Sequence, residues 1–410
     1  MAETTQPADD QDLLAATTLR DPHARLDQLR EETAVYWYPK IHSWFLTRYD
    51  DAVTVFRDPV RFSSRRSQNI LSSQVPADML EFFAPMVRSF ASWFIFMDPP
   101  DHTRMRNLVG KAFTPRMVDR VRPAVLEVAS GLVDSMERAG QADVVRDFAV
   151  PLPTMVIARM IGVPVEDCHL FNDWSHRIVA FLGVGDPSPA VAVAARDGLV
   201  AMSDYFRKLL EERRRQPASD MLTDLLEAKE REDRLSDEEI VATCVFLLFA
   251  GHETTQSVIS SGAYLLSAEP ERVARALAGE EVMRMAIEEV LRYDPPAKAM
   301  GRTATEDLQL GGMTIRQGDH LLVSILGANH DPRRFADPHR FDIGRTNNAH
   351  LAFGHGPHFC LGAALARMEA HVALTTFLTR LRGWKVVSPG PVWDTVNLGV
   401  VRLKHLPIAP

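Results

Sequence analysis

The sequence predicts a mainly α fold with a minor β portion. Helical patterning dominates from about residue 101 to residue 295. A capping signal at Ser236 opens a long apolar run. Two short segments rich in aromatic and β-branched residues fold over turn-forming residues, near 34–47 and 308–315. The chain has 410 residues, 46% of them hydrophobic, which is enough for a large buried core. Length alone would allow two or three domains.

Taken in order, residues 1–12 are polar and acidic and read as a flexible tail. They lack the charged-then-apolar pattern of a signal peptide. Residues 34–38 and 43–47 flank Pro39-Lys40 and read as a hairpin. Gln216-Pro217-Ala218-Ser219 reads as an interhelical loop rather than a domain linker. Ser236-Asp237-Glu238-Glu239 is a capping box, with Ser236 as N-cap and Glu239 at the third position. The helix it opens should run to about Leu266, roughly 45 Å at 1.5 Å per residue. Residues 245–250 are apolar nearly all round, which places this helix across the centre of the protein. Leu308–Leu310, Gly311-Gly312 and Met313–Ile315 read as a second hairpin. A strongly helical run starts at Ala363 and should end at Arg382, with Gly383 as its stop. No internal repeat or low-complexity segment stands out.

Charge and cysteine usage narrow the function. The net charge of −8 and the lack of a long basic run argue against nucleic acid as a partner. Arg213-Arg214-Arg215 reads as a solvated helix end. The longest continuous apolar stretch, residues 244–251, is far too short to cross a bilayer, so no membrane anchor is expected. Three scattered cysteines, Cys168, Cys244 and Cys360, exclude a disulfide framework and fit a reducing cytoplasm.

Cys360 carries the strongest chemical signal. It stands in Phe353-Gly354-His355-Gly356-Pro357-His358-Phe359-Cys360-Leu361-Gly362, just before the Ala363 helix. A helix N-terminus offers a positive dipole end and free N–H groups, and both favour the thiolate. Such a thiolate could be a nucleophile, a zinc ligand or the axial ligand of haem iron. No second cysteine lies at zinc-site spacing and there is no Cys-x-x-Cys pair. A buried free cysteine is the bland alternative. Gly356 and Gly362 lack Cβ atoms on both sides of the sulfur, which would let backbone approach a large flat ligand. Phe353 supplies an aromatic wall and His358 a ring nitrogen beside it.

The pattern Phe353-x-x-Gly356-x-His358-x-Cys360-x-Gly362 resembles the haem-binding signature of the cytochrome P450 monooxygenases. The resemblance implies haem b (iron protoporphyrin IX) as cofactor, ligated by the Cys360 thiolate. It implies a single catalytic unit over residues 13–410, with haem sandwiched between the long central helix and the cysteine-bearing helix. It also implies a soluble, bacterial-type, monomeric member. The chain closes soon after the signature, so electrons are expected from separate proteins, a ferredoxin and its ferredoxin reductase. Arg104, Arg106 and Lys111 would form the docking patch.

Three further motifs resemble the family in the expected order. Ala250-Gly251-His252-Glu253-Thr254-Thr255, in the central helix, is poor in helix formers. By itself it reads equally as a tight helix contact with threonines bonding back to carbonyls. His252-Glu253 is not the zinc-protease pattern, because Gln256 stands where its second histidine should be. The segment is similar to the family's oxygen-activation motif. That similarity gives Thr254 the distal hydroxyl, Glu253 the proton-relaying acid and Gly251 the room for oxygen. Glu289-Val290-Leu291-Arg292 resembles the family's Glu-x-x-Arg, with Arg340 matching the arginine that completes a structural triad. His102, Arg106, Arg302 and His358 match positions that bind the haem propionates, a task suited to the arginine fork.

Two positions depart from the common pattern. Arg402 precedes the Leu403-Lys404-His405-Leu406-Pro407 segment where many relatives have glycine, and His252 replaces a small or apolar residue.

In the family the pocket is lined by regions that here supply Phe94, Phe96, Phe181 and Val245. They also supply Phe249, Ala250, Met300 and Val396, with Lys298 and Asn397 as polar candidates. Such a lining implies an apolar, fairly bulky small molecule. The resemblance implies its oxidation in secondary metabolism, by default hydroxylation, with epoxidation, desaturation or oxidative coupling open to the same machinery. The alternative is a haem-binding sensor or carrier without turnover, against which the acid–threonine pair argues. A peroxide-driven enzyme is intermediate and commonly lacks that pair.

Overall fold

The fold is seen in a computed structural model that describes residues 12–66, 79–182, 188–230, 233–394, 399 and 401–410. Local sequence signals become the ends of its helices. Ser236 Oγ accepts from the Glu239 N–H at 3.3 Å, and the Glu239 carboxylate accepts from the Ser236 N–H at 2.8 Å. These reciprocal bonds satisfy donors that a helix start leaves free. They open the 31-residue helix Asp237–Ser267. Its residues 240–248 are all buried. Helices Pro151–Ile161, Pro189–Arg215, Glu280–Tyr293 and Ala363–Arg380 all pack against it. The expected central helix is therefore observed.

The helix Pro115–Ala139 follows the same logic. Thr114 caps the Met117 N–H at 3.2 Å and proline takes the first position. Gly140, at φ +71°, closes it in the left-handed region. This helix lies along Ala363–Arg380. Arg380 joins their ends by ion pairs to Asp134, at 2.8 Å, and to Glu137.

The cysteine-bearing helix stops at Arg380, two residues before the expected Arg382. Leu381 already leaves helical geometry at ψ 27°, although its N–H still bonds to the Phe377 carbonyl. Gly383, at φ +100°, belongs to the turn beyond.

Both expected hairpins form. Val35–Tyr38 pairs with Ser43–Leu46, in register Val35 to Leu46 and Tyr38 to Ser43. Leu308–Leu310 pairs with Met313–Ile315 across Gly311 and Gly312, both at positive φ, as a two-residue primed turn requires. The first hairpin joins a five-stranded sheet in the order Val35–Tyr38, Ser43–Leu46, His320–Ser324, Ala299–Ala304, Phe62–Ser63. Arg302 lies in the fourth of these strands, opposite Leu321. The architecture is mainly α with a minor sheet, as the sequence predicts.

Asp12, assigned to the flexible tail by sequence, instead accepts hydrogen bonds from Tyr38 and Lys40, so the described chain is tied down from that residue. Residues 1–11 lie outside the described residues. Among the described residues, no helix is long and apolar enough to cross a membrane.

Candidate active site

The loop before the cysteine-bearing helix is set by backbone contacts. Gly356 has φ +71°, and a Cβ there would lie 2.5 Å from the Phe56 carbonyl oxygen. Gly356 therefore seats the loop on the helix Tyr49–Arg57, rather than clearing space beside the sulfur as its position suggested. Beside Gly362 the space is open, since a Cβ on it would meet nothing within 4 Å. The Cys360 N–H donates to the Phe353 carbonyl at 2.8 Å. Its thiol has one exposed face but sits deep among protein atoms. Burial pushes its pKa up, while the Gly362 N–H, Arg106 and Arg367 act the other way. Cys168 and Cys244 are buried; burial, then Asp167 and Glu166, drive Cys168 up to about 11 against the smaller pull of Arg159, and burial raises Cys244.

Around this loop gathers a group of histidines and arginines. The His102 and His358 rings lie tilted by 38° with centroids 4.0 Å apart. His358 Nε2 lies 3.1 Å from Ser64 Oγ, while both ring nitrogens of buried His102 have no hydrogen-bond partner. Arg106 donates to the Phe359 carbonyl at 2.6 Å, and Arg302 to its neighbour Gly301 at 2.8 Å. Arg66 joins them, over the Phe96 ring at 5.4 Å. Sequence reasoning missed Arg66. Among the described residues none of these three arginines is in an ion pair. Desolvation, then repulsion between neighbours, pushes Arg302 down to about 9, His102 to about 4 and His358 to about 2. Desolvation alone lowers Arg66 to about 10. These buried and half-buried donors outnumber the one nearby carboxylate, Asp98, which is taken up by Ser63 and Ser64, and so form an anion site.

The central helix supplies the opposite wall. Thr254 is exposed between buried Glu253 and buried Thr255. Its hydroxyl donates to the Ala250 carbonyl at 2.9 Å, and that of Thr255 to Gly251 at 2.8 Å. The Cβ direction of Gly251 faces Ile157 on the adjacent helix at an ordinary 3.5 Å. Glu253 is buried and ion-paired with Arg402. Its Oε1 lies 3.5 Å from His252 Nε2 and 3.7 Å from His176 Nδ1. Burial pushes His252 down to about 4, and its Nδ1 bonds to the Leu248 carbonyl at 2.7 Å.

A family model described as cytochrome P450 matches residues 83–407. The chain belongs to the cytochrome P450 family. It is 36% identical over 398 residues to cytochrome P450 CYP107DY1 of Priestia megaterium, covering 96% of this chain and 93% of that one. It is 41% identical over 349 residues to nocardicin C N-oxygenase of Nocardia uniformis, covering 84% of each. Among solved structures it matches P450BioI in complex with hexadec-9Z-enoic acid ligated acyl carrier protein. That match has a TM-score of 0.89 at 32% identity and covers 96% of this chain and 99% of that one.

Cytochrome P450 enzymes use haem, and the residues present fit it. The partnerless nitrogens of His102 and the unpaired Arg66, Arg106 and Arg302 suit two propionate carboxylates. Cys360, with open space beside Gly362, would supply a thiolate ligand to the haem iron.

Several expected roles move. Glu289 holds Arg292 by two 2.8 Å bonds, but its second arginine is Arg345, at 3.2 Å, not Arg340. Arg340 is exposed, and only its carbonyl takes part, accepting from Arg292 and Arg345. Arg104 is consumed by ion pairs to Asp233, at 2.5 Å, and to the capping Glu239, at 2.6 Å, so it is no docking cation. Lys111 also has a partner. Phe181 and Val245 have no exposed surface and belong to the core. Phe94 and Phe96 keep a sliver of exposure, and Phe249, Ala250 and Met300 are half-buried. Phe94 packs edge-on against Phe246 at 4.9 Å, and Phe249 stacks on Trp93 at 5.5 Å. Lys298 is committed to Asp294. Val396 and Asn397 lie outside the described residues.

Glu288 is a further residue the motifs did not flag. Arg367 donates to it at 2.7 and 2.8 Å and His350 lies 3.1 Å away. Arg367 also covers the Phe353 ring at 4.3 Å, so this pair braces the cysteine loop.

Proposed function

We propose that this cytochrome P450 monooxygenase hydroxylates an apolar, fairly bulky small molecule in secondary metabolism, with Cys360 as the residue whose thiolate would hold the haem iron. The reading further places it in the cytoplasm, as a monomer whose residues 13–410 form one catalytic unit. Electrons would come from a ferredoxin and its ferredoxin reductase. One observation carries this reading: Cys360, the imidazoles of His102 and His358, and the arginines Arg66, Arg106 and Arg302, which are in no ion pair among the described residues, converge on one site. Haem, when bound, supplies the iron at which dioxygen is activated.

The chain's own residues do the rest. The Gly362 N–H, Arg106 and Arg367 hold negative charge on the Cys360 sulfur. Arg66, Arg106 and Arg302 would neutralise the propionates, and the His102 and His358 rings would offer hydrogen bonds to them. The Thr254 hydroxyl, turned back on Ala250, can rotate to offer a proton at the distal side. Glu253 is the buried acid next to it, its charge balanced by Arg402. Trp93, Phe94, Phe96 and Phe249 give the apolar, water-excluding wall that orients substrate.

The test is reconstitution with a ferredoxin, its reductase and a panel of bulky apolar compounds under labelled dioxygen. The reading expects a product carrying one labelled oxygen. A haem-loaded protein that oxygenates nothing with any partner pair would favour a carrier or sensor.

A further inference from the structure

We propose that His23, His330 and His339 form a binding site for a divalent transition-metal ion of the zinc class, outside the active site. Each offers one nitrogen, and these three atoms lie within 4.8 Å of one another. The ring centroids are 4.4 Å apart for His23 and His330, 5.2 Å for His23 and His339, and 5.3 Å for His330 and His339. Three nitrogens on one zinc ion at about 2.0–2.1 Å would sit roughly 3.3 Å apart. Small ring rotations close that difference, and His339, exposed at the edge of the cluster, has the space to make them.

The hydrogen bonds already present select the right faces. His330 is buried, and its Nδ1 lies 3.0 Å from the Leu326 carbonyl, to which it donates. That bond leaves Nε2 as a lone-pair acceptor, and Nε2 has no partner. A backbone carbonyl holding the far nitrogen is the usual outer support of a metal-bound histidine. Buried Nδ1 of His23 has no partner either. His339 Nε2 lies 2.6 Å from Asp27 Oδ2, which supplies a carboxylate at the edge of the cluster.

Charge permits the ion. Burial keeps His23 and His330 below the usual histidine range, hence neutral and ready to ligate. The nearby cations Lys298 and Arg292 are each neutralised, by Asp294 and Glu289. Asp21 and Asp27 favour positive charge at His23. Three imidazoles without thiolate suit zinc, nickel or copper rather than calcium or magnesium. His23 also borders a cavity of about 340 Å³, which gives the ion a way in.

The site would brace the scaffold. His23 opens the helix His23–Glu32, His330 follows the helix Ile325–Asn329, and His339 lies in the loop beyond. Arg292 Nη1 donates to the carbonyls of Asn329 and Pro338, the residues just before His330 and His339. A metal here would pin both carbonyls that accept from Arg292, the partner of buried Glu289.

The test uses the haem-loaded enzyme, stripped with a chelator, then titrated with zinc ion and analysed for metal. One zinc per chain, in addition to iron, and a raised thermal midpoint are expected. His339→Ala, at an exposed position, should fold normally and bind at least ten-fold more weakly. His330→Ala should bind as weakly, and if it fails to fold the His339 variant decides alone. No uptake by the wild type at micromolar zinc, or equal binding by the His339 variant, would overturn the proposal.

Discussion

Arg402, in the C-terminal strand Arg402–His405, forms a buried ion pair with Glu253 in the middle of the central helix. Both side chains are under a tenth exposed. One departure from the family pattern thereby gains a partner: Arg402 neutralises Glu253, the acid proposed to relay protons. Removing one member of such a pair leaves a charge stranded, at a cost of about 3–5 kcal/mol. Arg402→Met should lose that much in denaturant unfolding, and Arg402→Met with Glu253→Gln should recover most of it. A double variant no more stable than the single one would refute the coupling.

Thr254 bonds only within its own helix turn, so Thr254→Ala should change stability by less than about 1 kcal/mol. Its effect should fall on coupling. The fraction of electrons that ends in product should drop several-fold while electron consumption continues. An unchanged product yield per electron would remove Thr254 from the proton path.

The triad makes a sharp comparison between two arginines five residues apart. Arg345→Ala should cost about 3 kcal/mol or more, because it strips a cation from fully buried Glu289. Arg340→Ala should fall within about 0.5 kcal/mol, since only its carbonyl is used. Equal effects in unfolding would contradict this division.

His252 gives a pH dependence with a definite sign. Its folded pKa is lowered, mainly by burial, from 6.5 to about 4. Between those values the unfolded chain binds the proton and the folded chain does not. Stability from this group is therefore full above pH 6.5 and lost as pH falls toward 4, at up to about 1.4 kcal/mol per pH unit. Its facing groups are Glu253, Arg402 and His176. His252→Asn should flatten the acid limb of the stability profile in that window. An identical limb would show that another group controls it.

The legible parts of this chain were local. Ser236 and Glu239 lie three residues apart and define a helix start by themselves, and Gly311-Gly312 defines a turn the same way. The loop at Cys360 was readable because its spacing carries the chemistry. What depends on tertiary direction was not readable. Arg340 and Arg345 share one loop, and nothing in their spacing tells which side chain turns inward to Glu289. Arg402 meets Glu253 across 149 positions, and Glu288 meets Arg367 across 79. Arg66 looks like a surface charge beside Arg65 until the sheet brings Gly301 against it. Phe181 and Val245 are apolar residues in pocket-forming regions, and only packing shows them turned into the core.

The most direct test of the account is the reduced, carbon-monoxide difference spectrum of the purified protein, wild type beside Cys360→Ala. The account predicts a strongly red-shifted Soret band in the wild type that is absent from the variant. A wild type with the spectrum of histidine-ligated haem, or a variant that keeps the red-shifted band, would contradict Cys360 as the thiolate ligand.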